Sequence, residues 1–299
     1  MPDEAVTLVV GADCPIGRCL VARLMMNGKS VQGTTRRWPA TGPSRLFLDL
    51  AADVAKWDCP RSVAAAVICA GVTKGDALTR DPEGAARVNL VGIPQLIAKL
   101  GLRGAFVVFL SSSAVFDGSR PFVPTDAPLT PLTEYGRHKA IAERQVLEFG
   151  DRGAVVRLTK VLEDGFPLFQ QWIASLRKGD IIHPFHDHRF APVPVRFVSA
   201  VLERVLELRC SGVVQVSARE EITYAEAARY IAARMGAPQE LVRPVSYRKV
   251  RPTLVVPKHT TLECERLSGK LGLEPPGVWR SIDEAIGEGS PPSRGMYAA

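Results

Sequence analysis

The stretch AVTLVVGADCPIG, residues 5–17, decides the fold, because an apolar run is followed at once by a glycine-containing loop and a proline. The apolar run predicts a buried strand, and Pro15 predicts the first turn of a helix, where its missing amide hydrogen costs nothing. Gly11 and Gly17 stand at the first and third glycine positions of a phosphate-binding turn, and Cys14 stands at the second. The turn alone fits a phosphate site and a ligand-free connection about equally well.

The replacement of the middle glycine by Cys14 is compatible with a working turn. Pro15 forces the residue before it into an extended conformation, which a side chain tolerates. If the loop binds a phosphate, we expect the backbone amides near Ile16 and Gly17 to hold it at the helix N terminus. We expect the side chain of Cys14 to turn away from the ligand.

Strand-like segments alternate with helical patterns over the first half of the chain, and each strand-like segment is apolar almost throughout. That combination predicts an α/β fold, a doubly wound, Rossmann-like parallel sheet covered on both faces. We predict a dinucleotide-binding domain over 1–159 and a substrate-binding portion over 160–286 with segments that return to the main sheet. Residues 287–299 are expected to form a flexible tail. The strand-like segments are AVTLVV, SVQGTT, RLFLDL, AAAVICAG, GAFVVFLSSS and GAVVRLT, and one continuous helical pattern covers EGAARVNLVGIPQLIAKL.

Composition narrows the class of protein. The 299 residues are 46% hydrophobic with a net charge of +7, yet lysine and arginine are scattered, which favours an anionic small molecule over nucleic acid. No segment approaches the roughly 20 apolar residues of a membrane helix, and the N terminus is acidic before it becomes apolar, so we expect no membrane contact and a cytoplasmic location. The six cysteines form no C-x-x-C pair, as is typical of free thiols in a reducing compartment.

Arg36 and Arg37 follow the second strand-like segment, where the ribose of a bound dinucleotide would lie. An arginine at this point pairs with a 2′-phosphate, whereas a carboxylate would accept from a free 2′-hydroxyl. The pair therefore favours NADP(H) over NAD, and a solvated surface pair is the alternative.

The segments FLSSSAVFDG and TPLTEYGRHKAIAE carry the chemistry. Tyr135 and Lys139 are four residues apart on a predicted helix, so their side chains project from one face. An ammonium group beside a phenol stabilises its ionised form, and Ser112 at a strand end can bind the same substrate oxygen. Together the three predict a carbonyl-reducing centre.

These motifs resemble the extended short-chain dehydrogenase/reductase family, within it the dTDP-4-dehydrorhamnose reductase group. The likeness covers nearly the whole chain, including VNLVG, S-x-x-V-F-D-G, Y-G-x-x-K-x-x-x-E and RPTLVVPKHTTLECERLSGKLGL. It implies that Ser112 is the catalytic hydroxyl, Tyr135 the acid and Lys139 its partner. It also implies cofactor contacts beyond the glycine loop. Those residues are Asp49 and Leu50 at the adenine, Asn89 beside the nicotinamide, and Ala70, Gly71, Ser111, Tyr135 and Lys139.

The chain departs from this family at several positions. Cys14 replaces a glycine, and Asp13 brings a carboxylate to the expected phosphate region. Ser113 and Ala114 stand where the family's dehydratases carry an acidic pair, which argues against water elimination. Epimerisation at C4 needs only the serine, tyrosine and lysine and stays open, although the arginines argue against it.

The C-terminal portion offers weaker candidates. By the same likeness Lys160, Arg189 and Arg251 are expected to contact a substrate diphosphate, together with Ser112 and Ser113 nearer the reaction centre. No metal site is expected, because the histidines of HPFHDHR lack a completing ligand set. Trp172 and Trp279 are expected to pack in the smaller portion.

The sequence thus predicts an NADPH-dependent reductase of a nucleoside-diphosphate 4-keto-6-deoxy sugar. One alternative is a C4 epimerase of such sugars. Another, from a different class, is a non-catalytic, nucleotide-binding regulatory subunit, which the altered glycine loop favours and the intact Ser112, Tyr135 and Lys139 oppose. The expected partner is a nucleotide-sugar, and the oligomeric state is open, with a homodimer as the candidate.

Overall fold

A computed structural model describes residues 6–37, 42, 44–73, 78, 80–252 and 255–287. Its centre is a seven-stranded parallel sheet in the order β10-β6-β5-β4-β1-β2-β3. The predicted Rossmann-like α/β fold is confirmed. The strands are β1 Val6–Val10, β2 Val31–Thr35, β3 Arg45–Phe47, β4 Val63–Ile68, β5 Phe106–Ser112, β6 Gly153–Leu158, β7 Lys160–Leu162, β8 Arg189–Phe190, β9 Pro192–Pro194, β10 Gly212–Val216 and β11 Ile222–Thr223.

Helices cover both faces of the sheet, which explains why its strands are apolar on both sides. On β5, Phe106 and Val108 join one buried cluster, while Val107 and Phe109 join the other. The first cluster packs under α1, α6 and α9, and the second under α3 and α4. The helices are α1 Pro15–Met26, α2 Pro82–Ala86, α3 Ile93–Leu102, α4 Glu134–Leu147, α5 Pro167–Arg177, α6 Val195–Glu207, α7 Tyr224–Arg234, α8 Tyr247–Val250, α9 Glu265–Leu271 and α10 Val278–Ile286.

The second half of the chain contributes both to the main sheet and to a separate lobe. Strand β10 pairs in parallel with β6, from Gly212 beside Ala154 to Val216 beside Leu158. The lobe has its own apolar core, formed largely by α5, α7 and α10. Trp172 is buried in this core, and Trp279 packs against it. The predicted tail lies outside the described residues beyond Gly287.

The helix expected through residues 83–100 is interrupted. Helix α2 passes into a π-helical turn over Arg87–Gly92 before α3 begins. Pro94 lacks an amide hydrogen and cannot continue the regular hydrogen-bond pattern of an α-helix at this point. Gly92 packs so closely on the backbone of Leu50 that a Cβ there would overlap its carbonyl oxygen.

Strand β3 is shorter than the predicted segment RLFLDL. The carboxylate of Asp49 accepts a hydrogen bond from the amide of Ala51 at 2.9 Å, which turns the chain after the strand. Over the described residues, none of the helices has the length and apolar character needed to cross a bilayer.

Candidate functional site

The loop between β1 and α1 is a tight turn that requires two glycines. Gly11 has a φ of +83°, and a Cβ there would lie 2.9 Å from the Cβ of Ala70. Gly17 approaches Gly11 so closely that a Cβ would overlap the Gly11 carbonyl oxygen. The amide of Gly11 donates to the Oγ1 of Thr34 at 3.0 Å, which ties the loop to β2. The predicted roles of the first and third glycines in shaping the turn agree with this geometry.

Cys14 is the N-cap of α1, and its backbone is extended as expected before Pro15. The expectation that its side chain turns away is wrong. Its sulfur accepts a hydrogen bond from the amide of Gly17 at 3.3 Å, in the position that a serine or aspartate side chain takes at an N-cap.

The Cys14 thiol is also acidified by its surroundings. A hydrogen bond with the Cys69 side chain has the largest effect, and the amides of Gly17 and Ile16 and the charge of Arg18 add to it. These effects outweigh burial and lower the pKa of Cys14 to about 7. The same hydrogen bond, together with burial, raises the pKa of Cys69.

A cavity of about 290 Å³ lies at the carboxyl ends of β1, β2 and β4. This edge of an open parallel sheet is where α/β proteins bind nucleotides. Among the predicted cofactor residues, the cavity wall contains Gly11, Cys14, Arg36, Arg37, Leu50, Ala70 and Gly71. Sequence reasoning missed several other wall residues, which are Thr34, Thr35, Leu48, Cys69, Val72 and Val88. Two features of the sequence could have indicated them. Thr34 and Thr35 directly precede the predicted Arg36 and Arg37 in GTTRR, and Cys69 directly precedes the predicted Ala70 and Gly71.

Asp13 also lines the cavity, yet its negative charge is compensated. One oxygen accepts a hydrogen bond from the hydroxyl of Thr35 at 2.5 Å, and the other pairs with the guanidinium of Arg45 at 2.8 Å. Arg36 and Arg37 are exposed at the rim of the cavity. Their side chains are thus placed to meet an anion from solvent.

Three other predicted cofactor residues are not part of the cavity wall. Asp49 is engaged in its own turn with Ala51, and Ile16 packs against the core. Pro15 lines a separate groove beside α6. Contact of these three with a cofactor stays a prediction.

Asn89 braces the loop that follows β4. Its amide oxygen accepts from the Val72 amide at 3.0 Å, and its Nδ2 donates to the Val72 carbonyl oxygen at 3.0 Å. Its Nδ2 also lies 3.3 Å from the Nδ1 of His138, whose pKa is lowered, chiefly by burial. A neutral His138 can accept this hydrogen bond, so Asn89 links the β4 loop to α4.

Ser112 and Tyr135 come together at the end of β5. Helix α4 begins behind the N-cap Thr133, and Gly136 approaches the turn so closely that a Cβ would overlap the Ala114 carbonyl oxygen. Burial raises the pKa of Tyr135 to about 12, and the neighbouring Ser112 hydroxyl opposes this shift only in part. Tyr135 is therefore neutral near pH 7 and carries a proton that it can donate.

Lys139 lies one helical turn beyond Tyr135 and is buried. Its Nζ donates to the Leu110 carbonyl oxygen at 2.7 Å and sits 4.4 Å from the ring centre of Phe109 and 5.8 Å from that of Tyr135. Burial lowers the pKa of Lys139 to about 8. A Cβ on Gly71 would lie 3.9 Å from this Nζ, so the ammonium lies next to the cavity floor. The structure thus brings together Ser112, Tyr135 and Lys139.

Ser111 contributes a further polar group at this point. Among the described residues, its hydroxyl is buried and has no hydrogen-bond partner. Unsatisfied buried hydroxyls are costly unless a ligand or water satisfies them. A partner of this kind is what the predicted cofactor contact of Ser111 would supply.

The predicted substrate residues are distributed between the two parts of the molecule. Ser113 begins the 3-10 turn after Ser112. Lys160 starts β7 and its Nζ lies 5.1 Å from the ring centre of Phe166, while Arg189 starts β8 and is exposed. Arg251 follows α8 and is exposed. Their contact with a diphosphate stays a prediction.

The histidines of HPFHDHR take separate positions. His183 hydrogen-bonds the Arg243 carbonyl oxygen at 3.1 Å, and His188 packs between the rings of Tyr224 and Tyr247. In the part of the chain that the structure describes, no group of three or more histidine, cysteine or acidic side chains is arranged to hold a metal ion.

The parallel sheet, the glycine turn and the Ser112, Tyr135 and Lys139 group together define the extended short-chain dehydrogenase/reductase class. Within it, the sequence profile of the RmlD substrate binding domain matches residues 5–289, and the chain belongs to this family. The resemblance predicted from the motifs is confirmed.

Relatives of this chain carry two kinds of name. "Methionine adenosyltransferase 2 subunit beta" of Xenopus tropicalis is 28% identical over 69% of this chain, and the match spans 64% of that relative's length. "Probable low-salt glycan biosynthesis reductase" of Haloferax volcanii is 26% identical over 70% of this chain and 72% of its own length.

A solved structure agrees with this architecture over almost the whole chain. The dTDP-4-dehydrorhamnose reductase of Bacillus anthracis strain Ames, in complex with NADP, superposes with a TM-score of 0.81. The match covers 94% of this chain and 98% of that one at 20% sequence identity. At this identity the likeness establishes a shared fold.

Proposed function

We propose that this protein is an NADPH-dependent reductase of a nucleoside-diphosphate 4-keto-6-deoxy sugar. The observation that carries the proposal is the group of Ser112, Tyr135 and Lys139 next to the cavity at the strand ends. A chain that only bound a nucleotide would have no use for a protonated, partly buried phenol next to a serine hydroxyl and an ammonium group.

The residues present fit a dinucleotide. Gly11 and Gly17 leave space where a Cβ would overlap the backbone or Ala70, and the Ser111 hydroxyl is buried without a partner among the described residues. We infer that the turn at Gly11 and the backbone amides near Ile16 and Gly17 hold the pyrophosphate, with the Gly17 amide released from the Cys14 sulfur. Arg36 and Arg37 contact the 2′-phosphate. A bound NADPH supplies the hydride that reduces the keto carbon. The reductase complex with NADP is consistent with this preference.

The side chains of this protein perform the acid–base part of the reaction. The Ser112 hydroxyl hydrogen-bonds the substrate carbonyl oxygen and orients it toward Tyr135. Tyr135 then donates its proton to that oxygen as negative charge develops there. The ammonium of Lys139 stabilises the phenolate that remains. Because burial keeps Tyr135 protonated at neutral pH, the resting protein is prepared for reduction, in which a proton is consumed.

The experiment is a turnover assay with nucleoside-diphosphate 4-keto-6-deoxy sugars. We expect NADPH absorbance to fall only when such a sugar is present, and the product mass to rise by about 2 Da, the mass of one hydride and one proton. The Tyr135→Phe protein is the control for contaminating reductases. Interconversion of C4 epimers with catalytic cofactor and no net NADPH consumption would instead support the epimerase.

A second candidate is a non-catalytic, nucleotide-binding subunit. Two observations favour it, the name of the Xenopus relative and the replacement of the middle loop glycine by Cys14. The test is to titrate the protein into a methionine adenosyltransferase and measure both its sedimentation and its turnover. Complex formation together with an absence of NADPH consumption for every sugar would favour this candidate over the reductase.

A further inference from the structure

We propose that Cys14 and Cys69 form a modification site at the nucleotide loop, where hydrogen peroxide converts the two thiols into a reversible disulfide that blocks dinucleotide binding. The cross-link itself follows from the positions of the two cysteines. Its effect on cofactor binding rests on the proposed function.

The fold brings the two cysteines together from adjacent strands. Cys69 directly follows β4, and its amide donates to the carbonyl oxygen of Val10, the last residue of β1, at 2.9 Å. Cys14 stands on the loop that leaves the same end of β1, and its sulfur lies 3.9 Å from the Cys69 carbonyl oxygen. The two thiols are also close enough for each to shift the pKa of the other. This placement of the Cys14 sulfur at the Cys69 backbone is the geometric basis for a bond between the two sulfurs.

Both cysteines belong to the wall of the 290 Å³ cavity, and each residue as a whole is partly exposed. The cavity is therefore the route by which a small oxidant would reach them. The other four cysteines lie elsewhere, and none of them is in that wall. Cys19 is on the far side of α1 against Ser199, and Cys210 lies against Arg266. Cys59 is buried, and the sulfur of Cys264 lies 4.0 Å from the Ser217 carbonyl oxygen.

The two thiols differ in a way that suits stepwise oxidation. The Cys14 sulfur sits at the N terminus of α1, where the amide of Gly17 and the helix dipole favour a negative charge. The pKa of Cys14 near 7 makes it the nucleophile. Cys69, whose pKa is raised, supplies the second thiol, and the positive charge of Lys139 is close enough to favour its deprotonation when it reacts.

The chemistry balances without a bound cofactor. The Cys14 thiolate attacks one oxygen of hydrogen peroxide, which breaks the O–O bond, forms a sulfenic acid and releases hydroxide. The Cys69 sulfur then attacks the Cys14 sulfur, which forms the S–S bond and breaks the S–O bond, and the hydroxyl group leaves as water with the Cys69 proton. The hydroxide from the first step becomes the second water by taking up the proton that Cys14 lost. The two thiols lose two electrons in all, and the peroxide is reduced to two waters. A dithiol reductant reverses the step by exchange.

The disulfide would change the floor of the cavity where the loop and β4 meet. Gly11 packs closely on Ala70, the residue next to Cys69. A bond between Cys14 and Cys69 would therefore join the β1–α1 loop to the chain after β4 at a second place. The Cys14 sulfur already accepts from the Gly17 amide at 3.3 Å, and the bond would fix the sulfur between β4 and the N terminus of α1, where a phosphate would bind. We therefore expect oxidation to weaken NADPH binding by at least about tenfold.

The test begins with the full-length protein, reduced and freed of reductant, with and without hydrogen peroxide. Intact mass and peptide mapping are compared with NADPH affinity measured by calorimetry. We expect a loss of about 2 Da, a cross-linked peptide joining Cys14 to Cys69, weakened NADPH binding, and recovery of both with dithiothreitol. Cys14→Ser keeps an N-cap hydroxyl and should lose the cross-link, as should Cys69→Ser. Cys19→Ser, on the same helix but away from the cavity, should behave as the unmodified protein does.

Two results would overturn the proposal. One is that peroxide treatment yields no cross-linked peptide joining Cys14 to Cys69, although circular dichroism shows that the protein is folded. The other is a quantitative cross-link with unchanged NADPH affinity. If the reduced protein binds no NADPH but still forms the cross-link, the modification site is supported and the proposed cofactor is the part that fails.

Discussion

The carboxylate of Asp13 and the guanidinium of Arg45 form an ion pair, 2.8 Å apart, at the edge of the cavity. This pair removes an electrostatic objection to phosphate binding that the sequence raised, because the negative charge of Asp13 already has a partner. Arg36 and Arg37 lie on the same edge and are exposed to solvent. Positive charge is therefore available there for an incoming anion.

We expect Arg36→Ala combined with Arg37→Ala to weaken NADPH binding by about 10- to 100-fold, since charged hydrogen bonds to the 2′-phosphate would be lost. NADH lacks that phosphate, and its affinity should be nearly unchanged. Calorimetric titration with both cofactors measures the difference. Equal losses for NADPH and NADH would show that the arginines act elsewhere.

Tyr135→Phe should lower turnover by about 100-fold or more while leaving NADPH affinity and the unfolding midpoint close to those of the unmodified protein. The reason is that only the proton donor is removed from a ring that keeps its packing. Steady-state kinetics and cofactor titration on the same preparation separate the two effects. Turnover within a few-fold of normal would remove Tyr135 from the mechanism.

Gly11→Val should abolish NADPH binding, because the branched side chain would collide with Ala70 at a φ of +83°. Gly28→Val is the matched control, since Gly28 also has a positive φ, +69°, but no neighbouring atom within 4 Å of an added Cβ. Both variants carry the backbone strain, and only the first fills the turn. Similar loss of binding in both would assign the effect to strain.

Cofactor binding should also depend on the charge of Cys14. The pKa of Cys14 near 7 means that the thiol is neutral at about pH 6 and a thiolate at about pH 8.5. The thiolate repels a pyrophosphate and occupies the Gly17 amide, so affinity falls as the pH rises through 7. The ratio of NADPH dissociation constants, unmodified protein over Cys14→Ser, should therefore rise from about 1 to about 3–10 across this range. Ionisation of the 2′-phosphate affects both proteins equally and therefore does not change the ratio. A ratio that stays constant between pH 6 and pH 8.5 would contradict the assignment of a Cys14 thiolate.

The buried pair of Glu143 and Arg157 should matter for stability. Their side chains are 1% and 4% exposed, and two nitrogens of Arg157 contact the carboxylate. Glu143→Gln leaves a buried cation without a counter-charge and should lower the free energy of unfolding by about 3 kcal/mol. Glu284→Gln breaks the exposed pair with Arg280 and should cost about 0.5 kcal/mol or less. Urea unfolding of both variants makes the comparison.

The parallel sheet could be predicted from the sequence because strands buried on both faces are apolar throughout. The spacing of Tyr135 and Lys139 was equally informative, since four residues on a helix fix a common face. The π-helical turn before α3 was not predicted. We attribute it to Pro94 and to the close packing of Gly92 on Leu50. The packing joins residues that are distant in sequence, so no local pattern indicates it.

The role of the two cysteines at the site could not be predicted for a related reason. Cys69 reaches the cavity through the register of β4 against β1, which no local pattern encodes. The prediction that the Cys14 side chain turns away was wrong because its sulfur caps helix α1, a role that a side-chain oxygen usually takes. The contacts of Asp49, Lys160, Arg189 and Arg251 depend on a bound ligand and stay predictions.

The pairing of β10 with β6 has a consequence for how this chain can be divided. Strand β10, which pairs with β6 at the end of the central sheet, is made about 60 residues after β6, as the register of Gly212 with Ala154 requires. A fragment that stops after β6 would leave a row of unpaired amides and carbonyls along an apolar strand, an edge that recruits other chains. The first half is therefore a poor candidate for expression on its own. During synthesis, β6 stays unpaired on one side until β10 has been made.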